Sequence, residues 1–285
     1  MPHIRKSDTV FLFGAGSGAK LWLERARDSS RRHLILDNDS SLWGTLLANT
    51  EICPPRAVTR TDYSEIIVLV SDVADVSSSL AALGVPPEAI TIPAKPLFRP
   101  QPFKTARSRR TAADLLAQVV EIATSCDLEP VVEQGAALGA FRSKSLIPWD
   151  NDFDISFPWD RRSAIGEFSE RVRRSIGFHP PTTLRNPNGI QVNFSTVKPA
   201  IPFSVYSRKT SGDYLLAADA SFLAVPKESI WPPTWETLEG AIIPIPGRPE
   251  QYFESVYGSD WETPRPEFTF SDYPQAFAEG HAPAP

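Results

Sequence analysis

Two rhythms of apolar and polar residues divide this chain. In its first third, continuous apolar runs alternate with helical spacing. Thr9-Val10-Phe11-Leu12-Phe13, His33-Leu34-Ile35-Leu36 and Ile66-Ile67-Val68-Leu69-Val70 carry little polar interruption, the pattern of strands covered on both faces of a parallel sheet. Helical stretches follow the first run at Leu21–Ala26 and the third at Val73–Leu83, and a last strand is expected over Ala89–Ile92. Alternating strands and helices predict an α/β domain at residues 1–95. Prolines crowd the stretch from Pro93 to Pro102; they rule out regular helix and central strand there, so residues 96–105 are read as a linker.

Beyond the linker the pattern is that of an α+β domain, residues 106–265. Thr111 and Asp114 resemble a capping box, and Leu115, Leu116, Val119, Val120 and Ala123 keep one apolar helical face up to Cys126. A strand at Pro130–Glu133, a short helix at Ala136–Arg142 and a strand running through Asp150–Ile155 follow. Ile165, Phe168 and Val172 predict a helix, Ile190–Phe194 a strand. Pro249–Tyr257 reads as a helix stopped by Gly258, with Tyr252, Phe253 and Val256 turned inward. The proline- and alanine-rich tail at 266–285 is expected to fray.

Composition narrows the function classes. The chain has 285 residues, 41% hydrophobic and 22% charged, with a net charge of −5. That argues against a nucleic-acid footprint, which needs a basic face. The basic run Lys104–Arg110 is an exception; it reads first as a solvated face and, more sharply, as a phosphate-facing or membrane-facing patch. The cysteines, Cys53 and Cys126, stand far apart and read as free thiols of a reducing compartment. The early apolar run is too short for a signal peptide or a span. A cytoplasmic location with no transmembrane segment is expected, and peripheral attachment to a membrane stays open. None of His3, His33, His179 and His281 lies in a motif, which counts against a serine–histidine triad or a zinc site.

Two motifs carry chemistry. In the first domain, Gly14, Gly16 and Gly18 follow the first strand and Asp37 closes the second. Glycines there let backbone approach a phosphate, and an acid at that distance reaches a ribose hydroxyl. The spacing fits an NAD-binding or an S-adenosylmethionine-binding loop, and equally a tight structural turn. The domain is short for a complete enzyme of either kind.

In the second domain Asp150-Asn151-Asp152-Phe153-Asp154 is the most informative segment. Strand alternation would put Asp150, Asp152 and Asp154 on one face, with Phe153 and Ile155 on the other. Carboxylates held close repel, and Mg²⁺ or Mn²⁺ relieves that repulsion while sharing a substrate's phosphate oxygens. Gly135, between strand and helix, would let a phosphate chain approach.

These residues carry a resemblance. Gly135, Leu138-Gly139-Ala140, Arg142, Lys144 and Ile147-Pro148-Trp149-Asp150 with Asp152 and Asp154, followed by Leu238-Glu239-Gly240, Ile245-Pro246 and Tyr257-Gly258, are similar to the LicD/fukutin family of the nucleotidyltransferase-like superfamily. The N-terminal block, with Asp37-Asn38-Asp39 and Trp43-Gly44, resembles Rossmann-like modules placed before sugar-modifying enzymes. The resemblance implies transfer of phosphocholine or a polyol phosphate from a CDP-activated donor to a glycan hydroxyl. Asp150, Asp152 and Asp154 would then be catalytic and hold the metal. Gly135, Arg142 and Lys144 would meet donor phosphates, and Trp149 would pack on the donor or brace the loop. Members carry a further acid on a later strand, where this chain is read to have Pro202. Asp213, Asp219 or Glu133 would have to serve as base. The competing readings are a cofactor enzyme run from Gly14 to Asp37, a non-catalytic nucleotide- or sugar-binding protein and a template-independent nucleotidyltransferase.

Overall fold

The computed structural model describes residues 8–25, 30–70, 73–93, 97–178, 181–186, 189–196, 201–217, 224–266, 268 and 272–274. The chain forms two compact units, Met1–Pro100 with Glu267–Ser271 and Gln101–Pro266 with Asp272–Pro285.

The first unit is built from β1 (Thr9–Phe13), α1 (Ser17–Arg25), β2 (Arg32–Leu36), β3 (Leu46–Leu47), β4 (Thr50–Cys53), β5 (Glu65–Val68), α2 (Val73–Ala82) and β6 (Ile90–Thr91). The sheet order is β3-β4-β2-β1-β5-β6, parallel except at the β3–β4 edge. All five residues of β1 are buried because successive side chains feed different cores. Phe11 and Phe13 join one, Val10 and Leu12 the other. Phe98, within the stretch read as linker, is buried in the second of these cores.

The second unit contains α3 (Ala106–Ser125), β7 (Val131–Glu133), α4 (Gln134–Ser143), β8 (Phe153–Pro158), α5 (Ile165–Ile176), β9 (Thr182–Asn186), β10 (Gly189–Ser195), β11 (Pro202–Ser211), β12 (Tyr214–Ala217), β13 (Val225–Pro226), β14 (Thr234–Leu238), β15 (Ala241–Ile245) and α6 (Pro249–Tyr257). α3 begins earlier than the Thr111–Asp114 signal suggests. The capping box is Thr105–Ser108, each side chain bonded to the other's backbone N–H at 3.1 Å. Arg107, Arg109 and Arg110 of the basic run therefore lie in the first turns of a helix, as the good helix propensity of arginine allows, with Lys104 just before its cap.

The main sheet of this unit is mixed. β8 pairs antiparallel with β7 and parallel with β11, and β11 pairs antiparallel with β10 and β12. One face is a phenylalanine layer: Phe103 stacks on Phe153 at 5.1 Å, Phe153 meets Phe203 at 4.8 Å, and Phe168 of α5 meets Phe194 at 5.8 Å. The other face is polar. Residues in register share a face, so Glu133, Asp154, Ser204 and Asn193 form one row across β7, β8, β11 and β10. Of the tail expected to fray, residues 272–274 are described and pack in this unit, where Arg265 pairs with Asp272 at 3.0 Å; residues 275–285 lie outside the described residues.

Candidate functional site

β7 delivers the chain to the N-terminus of α4. Glu133 precedes the helix without capping it through its side chain, and Gln134 takes a left-handed φ of 50°. The Gln134 N–H donates to the Tyr252 hydroxyl at 3.2 Å. Gly135 is the next residue, and its missing side chain has a purpose. A Cβ there would lie 1.9 Å from Asp150 Oδ2. The glycine thus lets the Asp150 carboxylate lie against the first turn of α4, where backbone N–H groups and the helix dipole favour negative charge.

Asp150, Asp152 and Asp154 do not share a strand face. β8 starts at Phe153, so only Asp154 lies in it. The physical reason is local. The Asp150 N–H donates to the Ile147 carbonyl at 3.0 Å, and Asp150 Oδ1 accepts from the Asn151 N–H at 3.0 Å. This closes a turn where the alternation predicted extended chain. Phe153 and Ile155 are buried opposite Asp154, as that alternation requires. Among the described residues no three His, Cys, Asp or Glu side chains gather at metal-holding spacing. Mg²⁺ is usually held by one or two carboxylates, with water and substrate phosphates completing the shell.

Tyrosines line this loop. Burial first, then the neighbouring Tyr273 and after it the charges of Asp150 and Asp154, push the Tyr257 hydroxyl well above its ordinary value, so it stays protonated and able to donate. Tyr257 lies 6.0 Å from Tyr273, whose hydroxyl donates to Gln134 Oε1 at 3.3 Å. Tyr257 closes the helix expected from Pro249, and Tyr273 falls in the stretch expected to fray. Their sequence signal is a tyrosine spacing that means nothing until α6 is folded against α4.

Glu133 is not available as a base. It is fully buried, and its carboxylate accepts from Arg208 Nε at 2.8 Å, Arg208 Nη2 at 2.5 Å, the Tyr252 hydroxyl at 2.8 Å and the Tyr206 hydroxyl at 3.2 Å. Asp213 sits in the β11–β12 turn at the other end of β11, paired with Lys227 at 3.0 Å. Asp219 lies outside the described residues. Pro202 opens β11 in register with Ser195. The β11 residue beside Asp154 is Ser204, so an acid facing Asp154 from this strand would have to stand at 204.

The remaining expected residues are dispersed. Arg142 donates to the Trp261 carbonyl at 3.3 Å. Lys144 ends α4 about 13 Å along the axis from Gly135 and pairs with Glu236. Trp149 is partly buried and packs against the core. In the first unit Asp37 turns inward: it accepts from the Ala15 N–H at 2.6 Å and the Asp39 N–H at 2.8 Å. A Cβ on Gly14 would meet Val70 at 2.4 Å, and one on Gly18 the Leu69 carbonyl at 2.8 Å, whereas Gly16 faces open space. Packing thus accounts for Gly14 and Gly18, and loop-holding for Asp37.

Gly135→Ala is expected to drive the Asp150 carboxylate off the helix. The obstacle is the end of a side chain, which can rotate, so the melting temperature should change little. Any activity that depends on this loop should fall ~100-fold, the usual effect of a misplacement of about 1 Å. Parallel melting and turnover assays on the variant check both parts.

No helix among the described residues is long and apolar enough to cross a membrane. None of the curated proteins compared with the chain matches it. Residues 128–248 match the family model described as LicD/FKTN/FKRP, nucleotidyltransferase domain. The match spans β7, α4, the acidic loop, the mixed sheet and the β14–β15 hairpin. That family is generally one of transferases with glycan-related substrates. The second unit of this chain carries a LicD-family domain.

Proposed function

We propose that the second unit transfers a phospho-alcohol, phosphocholine or a polyol phosphate, from a CDP-activated donor to a sugar hydroxyl of a cell-surface glycan, in the cytoplasm and with Mg²⁺ or Mn²⁺. The observation that carries this reading is the seating of Asp150 against Gly135 at the start of α4, with Asp152 and Asp154 next along the chain. Glycine, helix N-terminus and acidic loop meet in one place within a LicD-family domain.

In the proposed reaction the acceptor oxygen bonds to the phosphorus of the transferred group, and the bond from that phosphorus to the bridging oxygen breaks. CMP leaves with that oxygen, and the proton of the acceptor hydroxyl passes to solvent. A bound divalent ion would supply charge stabilisation on the phosphate oxygens. Asp152 and Asp154 are the residues to hold it, with Asp150 fixing the loop against Gly135. The protonated Tyr257 hydroxyl is a donor beside these acids. Ser204 and Asn193 give the sheet face next to Asp154 neutral hydrogen-bonding groups, with Ser204 Oγ donating to Asn193 Oδ1 at 3.1 Å.

The first unit is read as a Rossmann-like module. Its support is the parallel sheet with β1 between β2 and β5, which places the Gly14–Gly18 loop where the strand order changes direction.

The test is thermal melting of the full chain with Mg²⁺ or Mn²⁺, alone and with CDP-choline, CDP-ribitol, NAD or S-adenosylmethionine. A ligand at 100 times its dissociation constant adds ~2.7 kcal/mol to stability. A shift that needs both metal and a CDP-alcohol is expected. A metal-independent shift with NAD or S-adenosylmethionine, or no shift with any of them, would sink the transferase reading.

A further inference from the structure

β14 and β15 form a two-stranded hairpin with two unlike faces. Leu238, Ile243 and Ile245 are buried in the core of the second unit. On the opposite face Trp235 is 58% exposed and Ile242 is 65% exposed. Trp235 pairs with Pro244 and Thr237 with Ile242, so Trp235 and Ile242 are diagonal neighbours on one outward face. Two large apolar side chains held side by side in water need an explanation that scattered ones do not.

The surroundings supply one. The hairpin turn, Glu239-Gly240, sits beside the start of α3. Arg109 Nε donates to Glu239 Oε1 at 2.8 Å, and Arg110 Nη2 comes within 3.8 Å of where a Cβ on Gly240 would lie. Lys104, Arg107 and Arg110 are exposed and make no ion pair among the described residues. The hairpin's acids are already neutralised, Glu236 by Lys144 and Glu239 by Arg109. The local balance is therefore cationic in a chain whose net charge is −5. Tryptophan and isoleucine beside unneutralised arginine and lysine match the two layers of an anionic bilayer surface. The rings and aliphatic groups enter the headgroup boundary and the cations meet lipid phosphates.

We propose that the outward face of the β14–β15 hairpin, with the first turns of α3, docks the second unit on an anionic phospholipid surface. The inference does not depend on the transfer reading. Its readout is sedimentation, so the two can fail separately.

The experiment is co-sedimentation of the full chain with vesicles of phosphatidylcholine alone and of equal parts phosphatidylcholine and phosphatidylglycerol. Binding to the anionic vesicles only, weakened by added salt, is expected. The variant K104A/R107A/R110A should partition on the order of 100-fold more weakly, and W235S/I242S roughly tenfold or more. Both should keep the wild-type circular dichroism spectrum; if the hairpin variant does not fold, the cation variant alone decides. Equal binding to neutral vesicles, or variants that bind like the wild type, would overturn the proposal. Absence of binding to either vesicle would also overturn it, and would leave the face to a protein partner.

Discussion

Arg208→Met is expected to cost about 3–5 kcal/mol of folding stability, the usual loss when one partner of a buried ion pair is removed. Arg208 and Glu133 are among the most deeply buried side chains in the second unit, with side-chain exposure of 0% each. The guanidinium makes a two-pronged contact with the carboxylate and donates a third bond to the Leu215 carbonyl at 3.1 Å. Without it, Glu133 keeps the Tyr206 and Tyr252 hydroxyls but no cation to balance its charge. The double variant Glu133→Leu/Arg208→Met should recover most of the loss, because it leaves no orphaned charge. Urea unfolding of the wild type and the three variants measures the cycle. Additive losses would show that the pair is not coupled in the way its geometry implies.

The same pair sets a pH dependence. Burial by itself pushes the Glu133 carboxyl up, but the Arg208 guanidinium outweighs it and holds the carboxyl below its ordinary 4.5. A carboxyl depressed in the folded state binds protons more readily when the chain unfolds. Its contribution is present above pH 4.5 and is lost as pH falls through the folded value. In Arg208→Met the depressing charge is gone and burial remains, so the carboxyl is pushed above its ordinary value and the sign reverses: that variant should lose stability as pH rises above 4.5.

Asp154→Asn is expected to lower turnover by about 10²–10⁴-fold, since charge stabilisation on a phosphoryl group is worth several kcal/mol. Asp154 is the one acid of the loop fixed in a strand, locked by the register of Glu133 on one side and Ser204 on the other. Asparagine keeps the shape and removes the charge, so the melting temperature should hold. The metal-dependent shift with CDP-alcohols should shrink. Turnover with and without added Mg²⁺, alongside melting, separates the outcomes. An Asp154→Asn variant with wild-type turnover would remove this residue from the proposed site.

Local patterns determined much of the architecture. The apolar runs at β1, β2 and β5, the amphipathic spacing of α5 and the proline-to-glycine frame of α6 are each decided by neighbours in sequence, because burial on a strand or helix follows its own period. The Gly135 to Asp154 segment stood out as a candidate site for the same reason. Partners distant in sequence were not legible. Glu133 reads as a spare acid until β11 brings Arg208 to it, 75 residues away. The proline at 202 looks like a missing acid until register shows that Ser204 faces Asp154. Asp150 reads as one of three alternating strand residues, but a turn at Ile147 and the open backbone of Gly135 claim it first. Sequence thus determined which segments become strands and helices and where acidic chemistry is concentrated. Tertiary structure alone decided which charges are neutralised, because a buried carboxylate takes its character from whatever the fold places within hydrogen-bonding distance.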